Sequence, residues 1–240
     1  MMRINKFLAR SGVASRRQAE LLVEQGRVKL NGQIIRELGV RVDETKDIVE
    51  LDGKQVSPAM GAIYLMLNKP PGYLVSSKDP HHDNLVTALL GEYRGKVFPV
   101  GRLDYETAGL LLFTNDGELA FRLSHPRFGV KKTYEVVLAG NIGKNELAEL
   151  DKGIILDDGP TAPTYSVLVS TSKTTSVVRI TLHEGRKRQV RRMFEKIGFP
   201  VIHLKRIEFG GLKLNNLKEG KFIKLTPSDI MKLRKQVGLA

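Results

Sequence analysis

The chain has no cysteine and no tryptophan among its 240 residues. Without thiols there can be no disulfides, no thiolate metal sites and no cysteine nucleophile, and the composition suits a reducing compartment, taken here as the cytoplasm. No apolar run approaches the ~18 residues of a membrane-spanning helix, so no membrane association is expected. A GxxxxGK[ST] phosphate loop and a strand-linked GxGxxG are both missing, which leaves nucleotide-cofactor use without support. The five histidines, His81, His82, His125, His183 and His203, have no histidine partner four residues on. With no thiol to join them, no metal site is expected. His82-Asp83 and His125-Pro126 read instead as loop and helix-end residues.

Acidic residues are also scarce. Asp and Glu number 26 against 39 Lys and Arg, for a formal charge of +13. Such an excess favours a polyanionic partner, because each neutralised phosphate releases counterions. The hydrophobic fraction, 41%, is that of an ordinary globular protein, so a packed core is expected.

The opening "MMRINKFLARSGVASRR" is rich in Arg and Ser and free of acids, a composition shared with organellar targeting segments. Its apolar spacing, however, continues into a folded pattern. Ile4, Phe7, Leu8 and Val13 predict a short amphipathic helix running to Gly12, a residue suited to the left-handed C-cap. Ser15 followed by Gln18 is a capping-box pair, and Ala19, Leu22 and Val23 give the second helix one apolar face. Val28 and Leu30 then alternate with Lys29, Asn31-Gly32 marks a hairpin turn, and "DIVELDGKQV" adds a further strand and turn. Arg16 and Arg17 fall in a first helical turn, where each cation costs about 0.3–1 kcal/mol against the macrodipole. A bound phosphate would reverse that sign. Arg10, Arg27, Lys29, Arg36 and Arg41 add charge to the same unit, which could equally be a solvated basic face.

The stretch "INKFLARSGVASRRQAELLVEQGRVKLNGQ" resembles the S4 RNA-binding domain. That resemblance implies structured-RNA binding through shape and phosphate contacts, with Arg10, Arg16, Arg17, Arg27 and Lys29 as the contact candidates. The Pro- and Gly-containing "GKQVSPAMGA", residues 53–62, reads as a boundary, giving an RNA-binding domain over 1–60 and a second domain over 61–240. In the second domain, strand patterns at "IYLMLN", "KVFPVGRLD", "GLLLFT", "TYEVVLAG", "TYSVLVST" and "SVVRITLHEG" mingle with helical patterns at "NLVTALLGE", "DGELAFRLSH", "KNELAELDKG" and "RQVRRMFEKIG". Without regular βαβ alternation, the fold class is α+β with a mostly antiparallel sheet.

Within "GRLDYETAGLLLFTNDGELA", Asp104 ends an extended segment just before an apolar run. A loop aspartate commonly caps a nearby N–H, here near Thr107, and that role is open to Asp104. A second basic cluster, "EGRKRQVRRMFEKIG", opens a helix whose apolar face is Val190, Phe194 and Ile197, so some of its arginines must project sideways.

Taken together, "NKPPGYLVS", "GRLDYETAGLLLFTNDGELA", "KTYEVVLAG", "HEGRKRQVRRMFEKIG" and "LKRIEFGGLKL" resemble the ribosomal RNA pseudouridine synthases of the RsuA/RluB type, which carry an N-terminal S4 domain. The resemblance implies conversion of a uridine within RNA to pseudouridine: the C1′–N1 bond breaks, the base turns, and C5 joins C1′. No atom is added, so the family needs no cofactor or metal. Asp104 matches the family's catalytic aspartate, acting either on C1′ as a nucleophile or on a sugar proton. Tyr134 matches the tyrosine that stacks on the extruded base, although a strand tyrosine also packs sheets. Arg191 matches the buried arginine that pairs with the aspartate and keeps it ionised, with Arg188 as the nearest competitor. Leu204 matches an apolar residue of the base pocket; Arg102 and Lys69 are further substrate-contact candidates. Arg186, Lys187, Arg188 and Arg192 are assigned to RNA phosphates.

The implied partner is ribosomal RNA, of the 23S type by closest resemblance, or an assembling ribosomal subunit. A monomer is expected, since no long apolar seam is visible. Two other classes fit parts of the pattern. One is a non-catalytic RNA-binding or ribosome-assembly factor on the same fold. The other is a hydrolase pairing Asp104 with Glu106 or Asp116, which lacks the metal cluster or placed acid pair of such chemistry.

Overall fold

A computed structural model describes residues 1–57, 61–76 and 84–239. Part of the expected linker at 53–62, together with His81 and His82, lies outside the described residues. The chain forms two compact units, Met1–Ala62 and Ile63–Ala240. Among the described residues no helix is long and apolar enough to cross a membrane.

The first unit packs α1 (Ile4–Arg10) and α2 (Arg16–Glu24) over a small sheet of β1 (Val28–Leu30), β2 (Gln33–Ile35), β3 (Val49–Leu51) and β4 (Lys54–Gln55). Ile4, Phe7, Leu8, Ala19, Val23, Val28 and Val49 form its core. The capping box at α2 is complete, with Ser15 and Gln18 each accepting the other's backbone N–H. Asn31 and Gly32 both take positive φ, 51° and 82°, as the tight turn between β1 and β2 requires.

The second unit is built on β5 (Tyr64–Lys69), β6 (Ala108–Thr114), β7 (Lys132–Ala139), β8 (Tyr165–Thr171), β9 (Thr175–Leu182), β10 (Val201–Phe209) and β11 (Phe222–Lys224). Their order is β8-β9-β7-β10-β6-β5-β11, all antiparallel except β10 with β6. Helices α3 (Gly117–Ser124), α4 (Lys144–Asp151), α5 (Gln189–Lys196) and α6 (Pro227–Gln236) cover it. The "GLLLF" run has no alternation because β6 is covered on both faces. Leu110 and Leu112 pack with Leu119 and Leu123 of α3 and Leu233 of α6. Leu111 and Phe113 pack with Val86 and Leu90 of a 3₁₀ segment, Val86–Tyr93. That segment is the "NLVTALLGE" helix expectation, interrupted at Gly91 where φ is 52°. Of "KVFPVGRLD", only Phe98–Pro99 pairs as strand; the chain then turns into the Asp104 loop. Helix α6 and the extent of β10 were not read from the sequence.

Two contacts place the Asp104 loop. At its exit, Gly109 has φ 108° and sits opposite Arg206 of β10, where an added Cβ would lie 2.2 Å from the Arg206 carbonyl oxygen. Only glycine permits both the backbone angle and this approach. Beneath the loop lies Lys69, which is fully buried and not a substrate contact as expected from the sequence. Its Nζ donates to the carbonyl oxygens of Pro70 at 3.0 Å, Asp104 at 3.3 Å, Tyr105 at 3.1 Å and Thr107 at 2.9 Å. With no surface exposed among the described residues, this ammonium ties the loop to the end of β5.

Gly109→Ala is expected to lower the stability of the second unit by about 2 kcal/mol or more, read from its urea transition, because backbone must move to relieve the clash. Burial pushes the Lys69 ammonium down to about 8, against a smaller opposing pull from the Asp104 charge. Since the unfolded lysine titrates near 10.4, the unfolded state binds more protons between these values, and Lys69's contribution to stability rises from pH 8 to about 10.4. Lys69→Met is expected to flatten that part of the rise in urea midpoint; an unchanged slope would show that the side chain is hydrated.

Candidate active site

The Asp104 loop, β7, β10 and the entry to α5 enclose one cavity. Among its lining residues are Arg102, Asp104, Thr107, Lys132, Tyr134, Arg186, Arg188, Leu204 and Arg206. Six of the residues singled out from the sequence therefore meet here: Asp104, Tyr134, Leu204, Arg102, Arg186 and Arg188. The sheet explains why. Tyr134 on β7 is the cross-strand partner of Arg206 on β10, and Leu204 lies two residues earlier on the same strand. Directly opposed residues, and residues two apart, share one face of a sheet. A register shift between Thr133 and Tyr134 marks an irregularity beside the site.

Asp104 is partly exposed and its carboxylate makes no ion pair or hydrogen bond among the described residues. The turn is closed by backbone instead: Thr107 N–H donates to the Asp104 carbonyl at 3.0 Å. The capping role open to this side chain is thus filled by its own main chain, and the carboxylate remains available to a ligand. Thr107 also borders the cavity, and its Oγ1 is buried with no hydrogen-bond partner among the described residues.

Arg191 departs from expectation. It is 5% exposed, but its Nη1 donates to the Val201 carbonyl at 3.2 Å and its Nε faces Glu106 at 3.9 Å. No Asp104–Arg191 pair is present among the described residues. Anchoring to the start of β10 turns the guanidinium toward Glu106, two residues past the aspartate. Arg188 reaches the same carboxylate at 3.3 Å. Arg188 itself has φ 51°, an uncommon angle for a non-glycine residue, at the N-cap of α5. Glu106 thus links the loop to α5, which is a different use from that of a hydrolytic acid. Asp116 is occupied too: it caps α3 by accepting from Leu119 N–H at 3.1 Å, and it accepts from Tyr64 Oη and Arg234.

The remaining basic residues divide. Arg192 forms two bonds to Asp158, at 2.9 and 3.0 Å, and Arg186 bonds the same residue and the carbonyls of Gly159 and Pro160. Both clamp the turn around Asp158 rather than presenting free charge to phosphate, and the Arg192 guanidinium is raised further in pKa mainly by its Asp158 hydrogen bonds. Lys187 and Arg102 are exposed and make no ion pair among the described residues. In the first unit, Arg10 pairs with Glu44 and Arg27 with Asp52, at half-exposed positions where such pairs exchange readily with other anions. Arg16 and Arg17 stand exposed in the first turn of α2.

Two cavity residues, Lys132 and Arg206, were not foreseen as site residues. Nothing local in "KTY" or "LKR" sets them apart; only the pairing of β7 with β10 brings them to the cavity. Among the described residues, no three of His, Asp and Glu converge as a metal-ligand set would.

Comparison with known proteins agrees with this layout. Residues 63–196, more than half of the chain, match the RNA pseudouridylate synthase family, and residues 2–58 match the S4 domain. The ribosomal large subunit pseudouridine synthase B of Bacillus subtilis is 44% identical over 98% of this chain and 96% of its own length. An uncharacterized RNA pseudouridine synthase of Aquifex aeolicus is also 44% identical, covering 99% of this chain and 96% of its own. A crystal structure of a pseudouridylate synthase superposes with a TM-score of 0.69 at 33% identity, covering 97% of this chain and all of that one. With an S4 unit ahead of a sheet that gathers Asp104, Tyr134 and Leu204 at one cavity, the chain belongs to the RNA pseudouridine synthase family.

Proposed function

We propose that the chain isomerises a uridine of large-subunit ribosomal RNA, free or in an assembling subunit, and that Asp104 is the residue on which the reaction depends. It acts as a cytoplasmic monomer. The observation that carries this reading is the unengaged Asp104 carboxylate in the same cavity as Tyr134 and Leu204. The similarity to the Bacillus subtilis large-subunit enzyme supports the choice of RNA.

In this reading the target nucleotide leaves its stack and enters the cavity, at a cost of a few kcal/mol in a duplex and less in a loop. Tyr134 stacks on the base and Leu204 supplies an apolar wall. Asp104 either attacks C1′ or removes a sugar proton; both routes release the base from the sugar. The base turns so that C5 faces C1′, the new C–C bond forms, and a base removes the C5 proton, a step open to the Tyr134 hydroxyl. Arg191 and Arg188 act through Glu106 to hold the loop. Arg102 and Lys187 contact phosphates near the cavity, and the S4 unit holds RNA elsewhere through Arg16, Arg17 and Lys29. Remote contacts of this kind offset base eversion. Two RNA-binding modules on one chain also raise the local RNA concentration at the cavity.

Asp104→Asn is expected to leave folding and RNA affinity within about twofold of wild type while lowering single-turnover isomerisation at least ~10³-fold, about 4 kcal/mol of transition-state stabilisation. Carbodiimide–primer extension on ribosomal RNA reads the product; undiminished modification by the variant would remove Asp104 from the mechanism and favour the RNA-binding-factor reading. Reversing charge in the S4 unit with Arg16→Glu and Arg17→Glu should weaken binding to that RNA and reduce the slope of log K against log salt by about one to two. An unchanged slope would show that α2 does not meet phosphate.

A further inference from the structure

Two cations line the Asp104 cavity and are unused by the roles given so far. Lys132 lies two residues before Tyr134 on β7, so their side chains leave the same face of the sheet. Arg206 is the residue paired with Tyr134 on β10. Both are buried, at 7% and 3% exposure, and neither forms an ion pair among the described residues. Arg206 Nε donates to the Leu110 carbonyl at 2.8 Å, and the guanidinium lies 4.8 Å from the centre of the Phe209 ring. Its Nη2 is buried with no hydrogen-bond partner among the described residues. Lys132 Nζ reaches the His183 carbonyl at 3.4 Å. Burial, and next the charge of Arg206, push the Lys132 ammonium down to about 8, against a smaller opposing pull from the Glu184 carboxylate.

Unsatisfied buried donors are costly, and two buried like charges are costlier still. An anionic oxygen placed between them would satisfy the free Arg206 N–H and offset the repulsion. The reaction itself produces such an oxygen. When C1′–N1 breaks, both bonding electrons stay on N1, and the released base is a uracilate whose charge is shared with its carbonyl oxygens O2 and O4. This holds whether Asp104 forms a bond to C1′ or takes a sugar proton. The charge is consumed when C5 attacks C1′, breaking the Asp104–C1′ bond in the first route, or adding to the C1′–C2′ double bond as the proton returns from Asp104 to the sugar in the second; C5 then loses its proton and N1 gains one, so atoms and electrons balance as an isomerisation requires.

We propose that Lys132 and Arg206 form an oxyanion subsite that binds a carbonyl oxygen of the target uracil and stabilises the departing base. The inference rests on the reading of Asp104 as the group that acts on the sugar. Because the charge on the oxygen grows as the bond breaks, the two cations favour the transition state over the bound uridine. They touch the reacting base and are catalytic residues in that sense. A backbone phosphate of the everted nucleotide offers the same anionic chemistry, and the test separates the two.

The RNA modified by wild type is prepared with either uridine or 5-fluorouridine at the modified position. Fluorine makes the base more acidic and hence a better leaving group with less need of cationic help. Single-turnover consumption of the target nucleoside is followed for wild type, Lys132→Met, Arg206→Lys and Arg206→Met, with RNA affinity measured alongside. Lys132→Met is expected to slow uridine consumption about 10²-fold, to slow 5-fluorouridine consumption at least several-fold less, and to leave RNA affinity within twofold. Arg206→Met is expected to behave alike, and Arg206→Lys to recover part of the rate. If Arg206→Met does not fold, Lys132→Met and Arg206→Lys decide the matter. Equal slowing on both substrates, a loss confined to affinity, or no loss would overturn the subsite, the first two in favour of a phosphate contact. Asp104→Asn on the uridine RNA runs in parallel: activity in that variant defeats the Asp104 reading, whereas an inactive Asp104→Asn beside a substrate-independent Lys132→Met defeats the subsite alone.

Discussion

A buried ammonium with no carboxylate partner holds the site together. Lys69 gathers the carbonyl oxygens of residues 70, 104, 105 and 107 around one nitrogen, and this fixes the path of the loop that carries Asp104. Burial of the charge is offset only in part, which is why the ammonium is pushed down to about 8, and Lys69 and the Asp104 carboxylate form no ion pair among the described residues. The other end of the loop is set by Gly109, whose missing side chain lets β6 lie against β10. Lys69 holds the aspartate's turn itself and Gly109 sets its exit, and together they leave the carboxylate facing a cavity.

The positive charge of the molecule then sorts by what each cation touches. Arg186 and Arg192 spend their donors on the turn at Asp158, and Arg188 and Arg191 converge on Glu106. Of these, Arg186 and Arg188 line the cavity. Arg102 and Lys187 remain exposed, as do Arg16 and Arg17 in the first unit. Lys132 and Arg206 are of a third kind, buried against the cavity and in no ion pair among the described residues, with only the weaker pull of Glu184 acting on Lys132. The 39 Lys and Arg residues thus overstate the cations free to meet RNA, because several are paired internally, although such pairs leave the net charge of +13 unchanged.

Much of the local structure was legible because it is set by neighbours in the chain. Ser15 and Gln18 announce the start of α2, and Asn31-Gly32 announces a turn. The motif resemblance likewise pointed to Asp104, Tyr134 and Leu204, which do share a cavity. The pairing expected between Asp104 and Arg191 did not form, and Lys69 proved to be a buried tie rather than a surface contact. In both cases the residue was noticed while its direction was not.

The sequence by itself determined the two units, the α+β class, the turns and caps, and the acid on which the chemistry is proposed to rest, since each depends on residue type and short-range spacing. Only the tertiary structure decided which arginine faces which carboxylate, that Lys69 is sealed beneath the loop, and that Lys132 and Arg206 flank Tyr134. Those outcomes follow from the register of β7 against β10 and the close passage of β6. Register joins residues some seventy positions apart, and no local pattern encodes it.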